Sequence, residues 1–148
     1  PPASESYLNI PRLLAACDIF LSPHSRNMGD KPFFGSPTKL FEYMAYGVGI
    51  VCSDLVQLGE VMRPALMIND PDNAPEEARS VLVAPASSAE LTKGALLLID
   101  DRSLSGRLGR NARLAAEKYY TWDQHVQSLW RFALGRAPGG YHEDRGIR

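Results

Sequence analysis

The chain has 148 residues, 45% hydrophobic and 22% charged; that length and balance fit one soluble globular domain able to build its own core. A formal net charge of −1 supplies no field to draw polyanions, and no apolar run nears the roughly 18–20 residues that span a bilayer. Charge-driven nucleic-acid binding and a membrane-spanning segment within this chain are thereby excluded. The chain opens on Pro1-Pro2 without a methionine, so a fragment of a longer protein is expected and the absence of a leader carries no weight.

Ile10 to Cys17 reads as a short helix with Pro11 in its first turn, where proline is tolerated. Asp18 to Pro23 is a short apolar run closed by proline, a buried strand. His24 to Gly35 is a loop punctuated by Gly29, Pro32 and Gly35. Ser36 to Tyr46 predicts a helix: Ser36 caps it, Pro37 suits its first position and Gly47 stops it. Leu40, Phe41, Met44 and Ala45 form its apolar face. Val48 to Ser53 is a second buried strand. Arg63 to Ser80, with Pro64, Pro71 and Pro75, is mostly irregular, with a short strand at Ala65 to Ile68. Ser80 to Ala84 is another strand. Ser87 with Glu90 forms a capping box opening a helix to about Ile99. Asp101 or Ser103 opens the next, with Leu104, Leu108, Ala112 and Ala115 on one face. Thr121 with Gln124 opens a helix to about Leu134, striped by Trp122, Val126, Leu129, Trp130 and Ala133. Residues 135–148 read as a loose tail beyond a domain of residues 1–134. Cys17 and Cys52, both in apolar contexts, are expected as buried free thiols.

Short, wholly apolar strands alternating with helices argue for an α/β fold with a parallel sheet and helical crossovers. In such sheets ligands gather outside the carboxyl ends of the strands, which here deliver His24, Asp54 and Pro85. The stretch from Phe33 to Gly47 joins a glycine loop to a helix start. The backbone amides of Gly35, Ser36, Thr38 and Lys39 converge there, and such an end favours a phosphate. A lysine in a first helical turn opposes the macrodipole, so Lys39 reads either as the partner of an external anion or as a solvated side chain. Glu42, one turn on, reads either as an acceptor for two neighbouring hydroxyls or as an ordinary surface glutamate. His24 is a strand-end candidate or a plain loop histidine. His125 belongs to the packing of the last helix. Asp54 and Glu60 flank the turn after the second strand, facing a ligand or serving turn and cap. No paired catalytic carboxylates, metal-ligand cluster, nucleophile elbow or phosphate loop can be assembled, and no aromatic–basic interleaving supports nucleic-acid binding.

The block from Gly35 to Gly47, Gly-Ser-Pro-Thr-Lys-Leu-Phe-Glu-Tyr-Met-Ala-Tyr-Gly, followed by Ile50-Val-Cys-Ser-Asp54, resembles the donor-site signature of group 1 glycosyltransferases, the retaining family with the GT-B fold. Leu14 to Pro23 resembles the strand before the signature and Leu58-Gly-Glu-Val61 the turn after it. Asn111-Ala-Arg113 and Tyr120-Thr-Trp-Asp123 resemble the closing helices. The resemblance implies a Rossmann-like sheet, the partial carboxy-terminal domain of a GT-B enzyme, holding a nucleotide-sugar donor. It further implies that Gly35, Ser36, Pro37, Thr38 and Lys39 hold the diphosphate or adjoining sugar and that Glu42 binds the ribose. The family's first motif glutamate falls on Phe34; Asp30 is a stand-in from the loop. By the same resemblance the acceptor, a glycan, lipid or small molecule, belongs to an absent amino-terminal domain, and the fragment alone is inactive. No metal or other cofactor is expected. A cytoplasmic enzyme is implied, peripheral at the membrane if its acceptor is lipid-linked. A non-catalytic nucleotide-sugar-binding scaffold, or another GT-B activity such as a sugar-nucleotide epimerase, is the alternative.

Overall fold

The structure is a computed structural model that describes residues 3–28, 31–32 and 37–135. Helix α1 spans Ala3–Ala15 and strand β1 Ile19–Ser22; a hairpin of β2, Asn27–Met28, and β3, Lys31–Pro32, follows. Then come α2, Thr38–Tyr46; β4, Gly49–Ser53; α3, Val56–Met62; β5, Leu66–Met67; and β6, Val81–Val83. The chain closes with α4, Ser88–Asp100; α5, Arg102–Tyr119; and α6, Trp122–Ala133. The four longer-range strands form one parallel sheet in the order β1-β4-β6-β5. The α/β class and the parallel, Rossmann-like sheet expected from the sequence are both present.

The sheet is covered on both faces, which is why β4 and β6 carry no polar alternation. All five residues of β4 and all three of β6 are buried. Phe20, Ile50, Cys52 and Leu82 pack on one side with Leu40 and Met44 of α2, Leu58 and Met62 of α3, and Ala112 and Ala115 of α5. Val51, Val81 and Val83 pack on the other with Leu98 of α4 and Leu108 of α5. Fully burying one such side chain contributes about 1.5–3 kcal/mol, so the two clusters dominate what holds the domain together.

Strand β1 is less buried than its sequence suggested. It lies at the edge of the sheet, paired only with β4 among the described strands, and Leu21 is exposed. Asp18 at its start pairs with Arg102 at 2.7 Å. Helix α1 starts well before Ile10, so Pro11 lies inside it rather than in the first turn. Pro11 is exposed, so the helical hydrogen bond that proline cannot make is lost at the surface. Its carbonyl accepts a hydrogen bond from the Tyr46 hydroxyl at 3.0 Å, tying α1 to α2.

Pro37, not Ser36, occupies the N-cap position of α2, and no side-chain cap bond forms there. Gly47 ends the helix as expected: its φ of +70° is left-handed, and its N–H reaches the Met44 carbonyl. Ala45 is exposed, and Tyr43 and Tyr46 take its expected place beside Leu40, Phe41 and Met44. The turn expected at Leu58 to Val61 is instead helix α3. Seven residues with Gly59 inside and no side-chain cap give little helical signal. Ser87 caps α4 by accepting from the Glu90 N–H at 3.2 Å, Asp101 caps α5 through Leu104 N–H, and Thr121 caps α6 through Gln124 N–H. The irregular stretch before β6 is fastened by α5: Arg107 donates to the carbonyls of Pro75 and Glu76, and Asn111 to those of Glu76 and Ala78.

Candidate functional site

The carboxyl ends of β1, β4 and β6 meet at one rim of the sheet, and His24 ties them together. Its N–H donates to Ser53 Oγ at 2.9 Å, and its carbonyl accepts from Ala86 N–H at 3.0 Å. Its Nδ1 lies 3.2 Å from the Ser22 carbonyl. Ser22 and Ser53 are buried, so these bonds satisfy polar groups that would otherwise be costly in the interior. Between the strand ends and the start of α4 opens a cleft of about 310 Å³, lined by Pro23, His24, Ser25, Ser53, Val83, Ala86, Ser87, Ser88 and Leu91. Ala86 on its wall is left-handed at φ +60° without being glycine, a conformation that persists only where neighbours hold it.

What holds this wall is Glu90. Its Oε2 accepts from Ala84 N–H at 2.6 Å and its Oε1 from Asn69 Nδ2 at 3.2 Å. The expected capping box is therefore half formed. Ser87 N–H already donates to the Ala84 carbonyl, so the carboxylate reaches past it to Ala84. The Ala84 amide, then the Asn69 amide, hold the Glu90 carboxyl below the usual glutamate range.

Helix α2 presents Thr38, Lys39 and Glu42 on its exposed side. Its first turn carries no acidic residue, unlike that of α4, which contains Glu90. Lys39 Nζ lies 6.0 Å from the ring centre of Tyr43, and Tyr43 stacks on Phe20 at 4.2 Å. Burial, then the nearby Cys17 thiol and the Glu42 carboxylate, push the Tyr43 hydroxyl up. Asp30, Phe34, Gly35 and Ser36 lie outside the described residues, as do any contacts of theirs with Pro37 to Lys39.

Asp54 follows β4 and forms an ion pair with Arg63 at 2.7 Å. Gly59 is wedged against both side chains, so the pair brackets α3 and Asp54 has a structural partner. Glu60 is exposed on α3, on a helix rather than in the expected turn. His125 is also exposed, edge-on to Trp122 at 5.9 Å, not packed in the core. The structure thus gathers His24 with residues that sequence reasoning missed: Ser53, Ser87, Ser88 and Glu90. The available signal was their position, since each lies at a strand end or within the first turn of a helix on the same rim.

Among the described residues, no three of His, Cys, Asp or Glu cluster as metal ligands would, and no helix is long and apolar enough to cross a membrane.

Comparison with known structures finds a sucrose-phosphate synthase from Thermosynechococcus elongatus with a TM-score of 0.58 and 19% identity. The match covers 84% of this chain but 27% of that one, so the chain spans about a quarter of its neighbour's length. At that identity the likeness speaks for the fold alone. No curated protein sequence matches the chain. The family model for glycosyl transferases group 1 matches residues 5–101, which contain the sheet, α2 and the His24 rim. The chain belongs to the group 1 glycosyl transferases.

Proposed function

We propose that this chain is the donor-binding part of a longer enzyme that moves a glycosyl group from a nucleotide-sugar to an acceptor with retention. The observation that carries the reading is the start of α2: a helix start with no acidic residue in its own first turn, with Lys39 in that turn and Glu42 one turn on. The residues from Gly35 to Lys39 receive the diphosphate, whose growing negative charge on departure of the sugar is stabilised by fixed backbone dipoles and by Lys39. That arrangement calls for no metal. Glu42 accepts hydrogen bonds from the ribose hydroxyls, as the family motif implies. His24, Asp54 and Glu60 neighbour the donor, with Asp54 held by Arg63; the resemblance adds Asp30 and Phe34, which lie outside the described residues. The family match supports the class of reaction; the acceptor and its domain lie in the remainder of the enzyme.

The exposed apolar face of α6 supports the larger assembly. Trp122, Trp130 and Phe132 are 81%, 67% and 78% exposed, and no residue of the helix is buried. A contiguous apolar stripe of this kind marks a surface that another body covers, here the acceptor-bearing domain, in an enzyme that works in the cytoplasm. Phe34 at the place of the first motif glutamate sustains one rival, a domain that keeps donor binding but has lost turnover.

Two substitutions test the reading. Glu42→Ala is expected to weaken nucleoside diphosphate binding by about 1–3 kcal/mol, the usual worth of a hydrogen bond to a charged group. Lys39→Ala is expected to weaken diphosphates more than the corresponding nucleoside. Unchanged affinity in the first variant, or equal losses for both ligands in the second, contradicts the assignment.

A further inference from the structure

Lys39 stands where helix physics does not favour it. The first turn of α2 carries no acidic residue, and the positive end of the helix dipole pushes a cation outward. Lysine is also a flexible stem, whose ammonium wanders in water unless something fixes it. Among the described residues no carboxylate forms an ion pair with Lys39. Its described contact is aromatic. Nζ lies 6.0 Å from the centre of the Tyr43 ring, one turn on and on the same side of the helix, within the reach over which a ring face attracts a cation. The ring is itself held. Phe20 of β1 stacks on it at 4.2 Å with 8° between the planes, which leaves the other face for the ammonium. Phe20 is buried and meets Tyr46 edge-on at 6.0 Å, and the Tyr46 hydroxyl is fastened to the Pro11 carbonyl. The ring beside Lys39 is thus anchored through Phe20 to the sheet. A carboxylate in its place would neutralise the ammonium. A ring face attracts the cation without cancelling its charge, so its pull on an outside anion is kept. Burial, before the nearby Cys17 and Glu42, pushes the Tyr43 hydroxyl up, so the phenol stays neutral and supplies no phenolate to compete.

We propose that Tyr43 is a positioning residue: carried on Phe20, its ring places the Lys39 ammonium at the start of α2 and leaves the charge of that ammonium uncancelled. The purpose of this placement rests on the donor-site reading above, since the anion it serves is the donor's diphosphate.

The test separates the ring from its hydroxyl and from its packing. Tyr43→Phe keeps the ring. Tyr43→Leu removes it but leaves an apolar side chain against Phe20, and Tyr43→Met replaces that variant if circular dichroism shows it unfolded. Each is made in the full-length protein, alone and together with Lys39→Ala, and titrated with adenosine, cytidine, guanosine, thymidine and uridine diphosphates. Tyr43→Leu is expected to weaken the nucleoside diphosphate that binds by about two- to fivefold, the worth of an exposed cation–ring contact. Tyr43→Phe is expected to bind as the wild type does, and Tyr43→Leu to cause no further loss in the Lys39→Ala background. No loss in Tyr43→Leu, an equal loss in Tyr43→Phe, or the same loss with and without Lys39 overturns the proposal. Nuclear magnetic resonance of isotopically labelled lysine gives a readout that needs no ligand. The Lys39 Hε signal, identified by its absence in Lys39→Ala, is expected upfield of a free lysine in the wild type and in Tyr43→Phe, and at the free-lysine position in Tyr43→Leu. If the wild type binds no nucleoside diphosphate, the donor-site reading fails and this signal alone decides the placement of Lys39. An upfield shift abolished by Tyr43→Leu upholds it, and an unshifted signal overturns it.

Discussion

The two thiols show how strongly surroundings govern a single side chain. Cys52 lies within β4 with none of its surface exposed, and burial pushes its thiol up to about 12. Cys17 is exposed after α1, its Sγ–H donating to the Leu13 carbonyl, so of the two expected buried thiols only one is buried. Because the thiolate is the reactive form, a maleimide at pH 8 is expected to label one cysteine in the native protein and two after denaturation. Labelling of both in the folded state contradicts the packing of β4. Glu90 gives a residue-scale prediction of the opposite sign. Its folded pKa is depressed, so its contribution is present above the unfolded glutamate value of about 4.3 and is lost as pH falls through the lower folded value. Thermal melts of Glu90→Gln are therefore expected to depend less on pH below about 4.3 than those of the wild type. Parallel acid profiles would contradict the Ala84 and Asn69 bonds. The sequence showed Ser87 and Glu90 as a capping pair because their spacing is local. It did not show that the carboxylate bonds Ala84, since that depends on how the chain leaves β6.

Elements with regular periodicity or a capping signature were legible in advance: β4, β6, α4 and α5 run close to their expected bounds, and Asp101 caps α5. Elements whose existence depends on tertiary contact were not. Helix α3 forms because Leu58 and Met62 are buried beneath it and the Asp54–Arg63 pair brackets it, none of which has a local signal. The edge position of β1 depends on strand order, which composition does not encode. Helices α2 and α5 meet through two glycines at the closest point of approach. An added Cβ at Gly109 would collide with the Gly47 carbonyl, backbone that cannot swing aside. Gly109→Ala is accordingly expected to destabilise the domain by about 1–3 kcal/mol, as overpacking does, measured by urea unfolding. An unchanged midpoint would show that α2 and α5 can separate freely.

At the scale of the whole molecule, the sheet has a built rim and α6 has an unburied face. The stripe of Trp122, Val126, Leu129 and Trp130 was legible as helical periodicity, but its burial was not met within the described residues. Periodicity reports that a face is apolar; it does not report which body covers it. Tryptophan emission from this chain alone is expected to be red-shifted and readily quenched by acrylamide, and in the longer enzyme to be blue-shifted and protected. Equal quenching in both would contradict coverage of α6. Family membership and the parallel sheet were likewise legible, because the block from Gly35 to Asp54 places loop, helix and strand in one short run. The cleft at the start of α4 was not, since Ser53 and Ser88 are distant in sequence and meet only at the strand ends. A rim that holds a nucleotide-sugar donor must bind the nucleotide that carries it. Calorimetric titration of the full-length protein with a panel of nucleoside diphosphates and their sugar conjugates tests it most directly. Binding of one nucleotide class, abolished or sharply weakened in Glu42→Ala, is expected; a folded protein that binds no member of the panel would rule out a donor site on this rim.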